Sequence, residues 1–594
     1  MFKWKNDAVK NTEEKKSRAI RTRIKILAFL AAIPLLSLFF RAYELQIVKG
    51  AALLKESKDQ TIAKVVIEPA RGDIFDRNGA PIVSTIKTKS LFIRPRELVV
   101  AKEELEAKLI AIFPQYEPLI RKQFQKKGSF IWILKNLTLE DDKKLESSGI
   151  LKTADGLPMP GIGTLPENTR SYPYGELAAP IIGFVNWDGE GLMGIEKSYD
   201  ELLKGRKVIL KGSCDARRRV GLNMLTVDPT LNKGTSLILT IDKDYQYIAE
   251  KAIKDAVEKA EARLGIAIIS DPQSGELLAI AEYPSFDISK YYLYNDSDLY
   301  SAAVEEVFEP GSTLKTVTIA GALDKNAVKA GDVFNVGNGS LKIGPNTIHD
   351  SHGYGGDASF TVEEILVKSS NVGTALIGMK LGSESLYKYL KAFGFGQKTG
   401  LPLPGEPKGL LRHYKKWMPI DLANAAFGQG VSVTPFQIVQ MVNVVAADGI
   451  LAPLKIIKGI ITNDSKFATL EDEDDRMYTR AIKVETAKLM REIMAKVTDE
   501  GGTGTKAAIE GIEVAGKTGT AQKYDKATKT YSKKLWTSWF VGMLPADKPE
   551  LSVVILIDEP LKGYYGGELC APVFKRIVTD ILKKRGQLAA EPQN

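Results

Sequence analysis

Three short clusters in this 594-residue chain could together carry out acyl transfer. That chemistry needs a nucleophile, a base to activate it, and donors for the oxyanion that forms. The first cluster is Glu309-Pro310-Gly311-Ser312-Thr313-Leu314-Lys315. A helix beginning near Ser312 would set the hydroxyl and the amine at i and i+3, one turn apart on one face. Lysine is a base only when part of it is neutral, and burial or a second nearby cation lowers its pKa in that direction. The second cluster is Lys368-Ser369-Ser370-Asn371, a Ser-x-Asn on a predicted helix. The third is Lys517-Thr518-Gly519-Thr520, which follows the alternating segment Ile512-Glu513-Val514-Ala515 and so ends a predicted strand. Gly519 would let that strand's backbone approach a ligand closely.

Several look-alikes must be set against these. Ser-x-x-Lys by itself says little, since it also occurs at Ser84/Lys87 and Ser385/Lys388. Ser312/Lys315 is singled out because a Pro-Gly and a predicted helix start frame it, and the other two clusters follow it in helix and strand contexts. Lys398-Thr399-Gly400 repeats the third spelling, but within the glycine-rich FGFGQKTGLPLPGE, where no strand precedes it. Gly511 to Thr518 matches the phosphate-loop pattern letter for letter. Such a loop requires a strand before its first glycine and a helix after its lysine. Here the four free positions alternate as in a strand, and Gly519 interrupts any helix, so nucleotide binding is not expected. His349, His352 and His413 are the only histidines, which supplies a Ser-His-Asp mechanism poorly. His349-x-x-His352 lacks a third ligand, and neither a metal nor any other cofactor is predicted. Cys214 and Cys570 are the only cysteines; they are expected to be separate thiols, with neither a disulfide framework nor a catalytic role.

The elements around these clusters fall into two regions. Residues 45–60 continue helically from an apolar run, and TIAKVVIEPARGDIFDRNGAPIVST predicts a hairpin about Asp76–Gly79. Arg71-Gly72-Asp73 is expected to be part of a structural loop. Residues 101–150 have helical spacing, 153–175 predict an irregular Gly/Pro-rich connection, and 194–205 a short helix ending at Gly205. A boundary is expected near 225–235. Beyond it come a strand at Ser236–Ile241, a long amphipathic helix, and a hairpin about Asp271–Gly275. Several helical stretches run from 312 to 450, and residues 471–475 (EDEDD) predict a solvated acidic loop. Strands return at 512–518, 537–544 and 551–557, before a helix over 571–584. Strands at both ends with helices between suggest a sheet closed by its termini, an α/β sandwich.

The charge of +9 is concentrated at one end. Residues 1–25 hold nine basic and three acidic side chains, so +6 of it lies there and +3 in all the rest. A nucleic-acid partner is therefore not expected. Ile26–Phe40 is apolar, and with Lys25 and Arg41 able to snorkel, Ile24–Tyr43 gives twenty helical residues. At a rise of about 1.5 Å each they span roughly one hydrocarbon core. The basic flank should stay in the cytoplasm, and no convincing cleavage site follows the run, so an uncleaved anchor is expected.

At these residues the chain resembles the class B penicillin-binding proteins, and the similarity runs from about residue 20 to 580. RGDIFDRNG (71–79), RSYPYGELAAPIIGFVNWDGEGLMGIEKSYDELLKG (170–205), FEPGSTLK (308–315), KSSNVG (368–373) and FGQGVSVTPFQ (427–437) look like family landmarks. So do AGKTGTAQK (515–523), TSWFVGMLPADKPELSVVILIDEP (537–560) and YYGGELCAPVFK (564–575). Ser-x-x-Lys, Ser-x-Asn and Lys-Thr-Gly in order are that family's signature. No glycosyltransferase segment precedes the ectodomain, unlike class A. The short anchored tail, KSSNVG and LQIVKGAALLKE look like the division-specific, septal branch, with the elongation-specific branch as runner-up.

The resemblance implies a multidomain architecture: a basic cytoplasmic tail (1–23), a single transmembrane helix (24–43), a mixed α+β pedestal of dimerisation type (44–228), an α/β serine transpeptidase domain with a β-lactamase-like fold (229–585), and a disordered tail (586–594). It implies that Ser312 attacks the penultimate D-alanine carbonyl of a stem pentapeptide, with Lys315 as base. Ser369 would relay a proton, Asn371 would hold the donor's amide backbone, and Lys517 would support the network and the substrate carboxylate. Thr518, Gly519 and Thr520 would bind substrate, and the amides of Ser312 and Thr520 would form the oxyanion hole. β-Lactams would acylate Ser312 as substrate mimics. Expected partners are peptidoglycan stem peptides, a membrane-embedded glycan polymerase and other division proteins, in the bacterial inner membrane at the septum. A D,D-carboxypeptidase or β-lactam-sensing acyl-enzyme shares these motifs. A catalytically idle division scaffold is opposed by intact Ser312, Lys315, Asn371 and Lys517.

Overall fold

The computed structural model describes residues 3–67, 69–206, 208–213, 233–462, 466–469, 478–525 and 530–588. Cys214, the acidic run at 471–475, most of the boundary near 225–235 and most of the C-terminal tail lie outside them. The chain forms two compact units, Met1–Glu68 with Lys207–Asp228, and Pro69–Arg206 with Pro229–Asn594.

The first unit opens with a helix over Lys3–Tyr43 that contains Pro34, followed by a π-helical turn at Glu44–Val48 and a helix at Gly50–Thr61. The stretch Lys15–Val48 is long and apolar enough to cross a membrane, and Leu27, Phe29, Leu35 and Phe39 are exposed along it. Large apolar side chains exposed along such a length suit a lipid surroundings, and this helix is a candidate membrane anchor. Ile62–Ile67 pairs antiparallel with Val208–Ser213, so it is not part of the expected hairpin.

In the second unit that hairpin consists of Ile74–Phe75 and Pro81–Ile93. Its turn is held by Asp76, whose Oδ1 accepts from the amides of Asn78 at 2.9 Å and Ala80 at 2.7 Å. Two strands depart from expectation. Ile131–Leu137 interrupts the helical region, because Ile131, Ile133, Leu134 and Leu137 bury themselves against the helices at Lys102–Ile112 and Glu117–Phe124. Ile162–Ser171, expected to be irregular, pairs along the length of Pro81–Ile93. Ser236–Leu239 runs parallel to Ile74–Phe75, and so joins this mixed sheet rather than the one that holds Lys517. The short helix expected at 194–205 is two helices, Gly194–Ser198 and Asp200–Leu203. Arg71 is buried: its guanidinium bonds Glu196 and Asp200, both at 2.6 Å, while Arg170 holds the other oxygen of Glu196 at 2.6 Å.

The sheet that holds Lys517 has five antiparallel strands: β1 (Leu264–Ser270), β2 (Leu277–Tyr283), β3 (Ala515–Asp525), β4 (Thr530–Leu544) and β5 (Leu551–Asp558), in the order β3-β4-β5-β1-β2. The last strands of the region thus pair with its first, as expected. Every residue of β1 and β5 is buried, because helices cover both faces. Val553, Ile555 and Ile557 meet α1 (Lys243–Ala260) and α5 (Gly566–Lys584) through Ile253, Phe574 and Ile577. Val554 and Leu556 face the opposite way, towards a core that holds Val439 and Val442 of α4 (Pro435–Ala446). Between the sheet-forming segments lie α2 (Lys315–Asp324), buried through nine of its ten residues, and α3 (Asn371–Leu381).

Candidate active site

The three clusters come together from three different elements. Ser312 occupies a 3₁₀ turn, Gly311–Leu314, that runs directly into α2, so Lys315 opens the α-helix. Ser369 precedes α3, and Asn371 is the first residue of that helix. Lys517 to Thr520 lie inside β3, an edge strand. The strand can press on the Ser312 turn because position 519 is glycine. A Cβ there would fall 2.7 Å from Thr313 Cγ2 and 3.1 Å from the Pro310 carbonyl oxygen.

Ser369 is the meeting point. Lys315 Nζ donates to its carbonyl oxygen at 2.5 Å and to its Oγ at 3.2 Å, and to Asn371 Oδ1 at 2.7 Å. Lys517 Nζ donates to the same Oγ at 2.9 Å and to the Thr518 carbonyl at 3.0 Å. A hydroxyl has two acceptor lone pairs, so both amines can use Ser369 Oγ and still leave its own proton free to donate. Ser369 has a φ of 58°, a left-handed conformation that costs energy in a non-glycine residue. Both lysine side chains are fully buried. Burial, reinforced by the charge of Lys517, pushes Lys315 well below the ordinary lysine pKa, against an opposing pull from Asp350. Burial alone brings Lys517 down to about 7. Two buried amines that share the Ser369 hydroxyl, both shifted towards neutrality, can pass protons through it.

Asp350 was not singled out in the sequence; only its neighbours His349 and His352 drew notice there. Its carboxylate caps α3, accepting from Ser370 Oγ at 2.8 Å, from the Val372 amide at 3.0 Å and from the Asn371 amide. Tyr354 donates to it at 3.1 Å. The amide group of Asn371 is held from both sides, with Nδ2 donating to the His349 carbonyl at 2.8 Å. Thr518 Oγ1 lies 2.8 Å from Thr503 Oγ1, and Thr520 Oγ1 accepts from the Gly566 amide at 3.2 Å.

Comparison with known proteins shows the family of the chain. The penicillin-binding protein transpeptidase domain matches residues 265–579, more than half of the chain, and the penicillin-binding protein dimerisation domain matches 66–233. The chain is 33% identical over 595 residues to the probable peptidoglycan D,D-transpeptidase PenA of Neisseria meningitidis serogroup A, covering 98% of this chain and 96% of that protein. It is 30% identical to the peptidoglycan D,D-transpeptidase FtsI of Buchnera aphidicola, covering 96% of each. A crystal structure of penicillin-binding protein 3 from Mycobacterium tuberculosis, complexed with aztreonam, superimposes with a TM-score of 0.68 at 27% identity, over 89% of this chain and 99% of that one. The chain belongs to the class B penicillin-binding proteins.

As a penicillin-binding protein it is a serine-type transpeptidase, with the pedestal and transpeptidase fold that the resemblance implied. The look-alikes lie elsewhere in its structure. Ser84 and Lys87 are on the strand Pro81–Ile93, where residues three apart face opposite ways. Lys388 is an exposed partner of Glu384, and Ser385 Oγ accepts from Lys325 at 2.5 Å. Thr399 donates to Glu406 through its amide, at 3.0 Å, and its hydroxyl, at 2.6 Å, inside a loop. After Lys517 the chain continues as strand, contrary to a phosphate loop. His349 Nδ1 meets Ser340 Oγ at 3.0 Å, His413 stacks on Tyr414, and His352 lies against Tyr565. Cys570 is a buried free thiol in α5.

Proposed function

We propose that this penicillin-binding protein crosslinks peptidoglycan stem peptides through an acyl-enzyme on Ser312. The observation that carries the reading is the pair of buried amines of Lys315 and Lys517 on Ser369 Oγ, beside the turn that bears Ser312. Lys315, held towards neutrality, takes the Ser312 proton as the hydroxyl attacks the penultimate D-alanine carbonyl. The amides of Ser312 and Thr520 face the developing oxyanion. Ser369 passes a proton to the departing D-alanine amine, resupplied through the lysines. Asn371 aligns the donor's amide backbone, while Thr518, Gly519 and Thr520 with Lys517 receive the terminal carboxylate. An amine from a second stem then takes the acyl group, which regenerates Ser312. Every step uses this chain's own residues, without a cofactor.

The likeness to the septal branch at KSSNVG and LQIVKGAALLKE supports a role at the division septum, and the basic flank before an apolar helix supports a tail at 1–23 in the cytoplasm, an anchor at 24–43 and the catalytic region outside. The segment 44–228 is the pedestal that meets the division partners, among them a membrane-embedded glycan polymerase, and 229–585 is the transpeptidase region. The test uses the full chain with a stem-pentapeptide donor and an amino acceptor, measuring D-alanine release and new amide product together. Amide product that disappears in Ser312→Ala supports the proposal. Release of D-alanine with hydrolysis alone would make the protein a D,D-carboxypeptidase.

A further inference from the structure

We infer that Glu309 is a positioning residue for acyl transfer, whose carboxyl group ties the outer end of the β3–β4 hairpin, through Tyr531, to the turn that presents Ser312. The inference rests on the nucleophilic role proposed for Ser312. Glu309 stands three residues before that serine and is held to β4 at two points. Its carbonyl accepts the indole N–H of Trp539 at 3.1 Å. Its Oε1 accepts the phenol of Tyr531 at 3.0 Å and the amide of Gly430 at 3.2 Å. Its Oε2 is shielded from solvent and takes no hydrogen bond among the described residues. Burial pushes this carboxyl up to about 7, and Tyr531 is raised as well, so both groups favour their neutral forms. A buried carboxyl held neutral avoids the desolvation cost of a buried carboxylate.

Tyr531 reaches Glu309 because the hairpin is irregular. The strands pair in step from Ala515 with Met543 to Gln522 with Trp536, and then the register shifts so that Tyr524 faces Tyr531. From 536 to 531 β4 moves five positions, while β3 moves two from 522 to 524. A bulge of this kind bends the strand that carries it. The rings of Tyr524 and Tyr531 meet edge-on at 5.8 Å beyond the bulge. The loop at 428–430 closes the arrangement from the other side. The Gly311 amide donates to the Gly428 carbonyl at 3.1 Å, and a Cβ on Gly428, whose φ is 88°, would fall 2.0 Å from the Gly311 oxygen. Three segments therefore converge on the residues just before Ser312. The gap between Ser312 and β3, where the oxyanion forms, is fixed at Gly519 by direct contact and further out by the Glu309–Tyr531 bond.

The test measures acylation of the full-length protein by a fluorescent penicillin over a range of concentrations, which separates non-covalent binding from the acylation rate constant. Tyr531→Phe and Glu309→Ala should lower that rate constant by roughly 10- to 100-fold, as a small misplacement of a reacting group does. The binding constant should stay within about twofold and the melting midpoint unchanged, since the interaction acts on the reacting geometry. Glu309→Gln keeps an acceptor for Tyr531 and should restore most of the rate. A normal rate constant in Tyr531→Phe would overturn the inference. So would a Glu309→Gln protein as slow as Glu309→Ala, or a loss that simply follows the melting midpoint. Ser312→Ala is run in parallel: labelling that survives it overturns the nucleophile assignment itself, and its absence confines any failure to the Glu309 contact.

Discussion

Replacing Lys517 with Met separates the chemistry of that amine from its packing. The Met side chain fills most of the same buried volume, so no large cavity forms. It removes two donated hydrogen bonds, to Ser369 Oγ at 2.9 Å and to the Thr518 carbonyl at 3.0 Å. Loss of one preorganised donor of this type costs about 10²–10³ in rate. A second effect acts on Lys315. Its burial is unchanged and Asp350 still draws its pKa upward, but the neighbouring cation that depressed it is gone. The Lys315 pKa therefore rises, its neutral fraction at a given pH falls, and the acid limb of acylation moves to higher pH. Stability should be unchanged or improved, because a buried amine with a pKa near 7 no longer has to be desolvated. The assay is the second-order constant for acylation by a fluorescent penicillin, from mildly acidic to alkaline pH, with thermal unfolding of the same samples. Wild-type acylation by Lys517→Met, or a limb displaced to lower pH, would refute the coupling of the two amines.

Three other outcomes are expected. Asp350→Asn removes the charge that raises the Lys315 pKa, so its acid limb should move to lower pH, opposite to Lys517→Met; the same pH series checks it. Glu196→Ala leaves Arg71 and Arg170 buried without their shared carboxylate, which should cost about 3–5 kcal/mol in urea unfolding of the chain lacking its N-terminal helix. A reporter fused after residue 60 should be active only outside the cytoplasm, and the mature protein should retain its basic N-terminus; a soluble form beginning near residue 45 would show a cleaved signal instead.

The site was legible in the sequence because its motifs couple residue identity to local geometry. Ser312 and Lys315 need only one turn of helix, and Lys517 to Thr520 need only an alternating strand with a glycine to bring it close. What remained hidden depends on contacts between distant segments. Asp350 caps α3 across 21 positions of chain, and one aspartate in a polar loop gives no sign of that. Glu309 was visible as a letter beside the nucleophile, but its partner Tyr531 is 222 positions away. The catalytic sheet followed from strands at both ends of the region. The pedestal sheet was harder, because Ile131–Leu137 and Ile162–Ser171 sit among charged or Gly/Pro-rich residues and become strands by pairing with the long strand Pro81–Ile93. Propensity carries little of that information. The short strand Ser236–Leu239 and the hairpin strand Ile74–Phe75 were each legible, while their parallel pairing was not.

The central claim is that Ser312 alone accepts the acyl group, and intact-mass analysis after penicillin exposure, followed by mapping of the modified peptide, tests it most directly. The expected result is one penicilloyl adduct per chain, on the peptide bearing Ser312, absent from Ser312→Ala and preserved in Ser84→Ala and Ser385→Ala. An adduct on any other serine, or one that persists in Ser312→Ala, would contradict it.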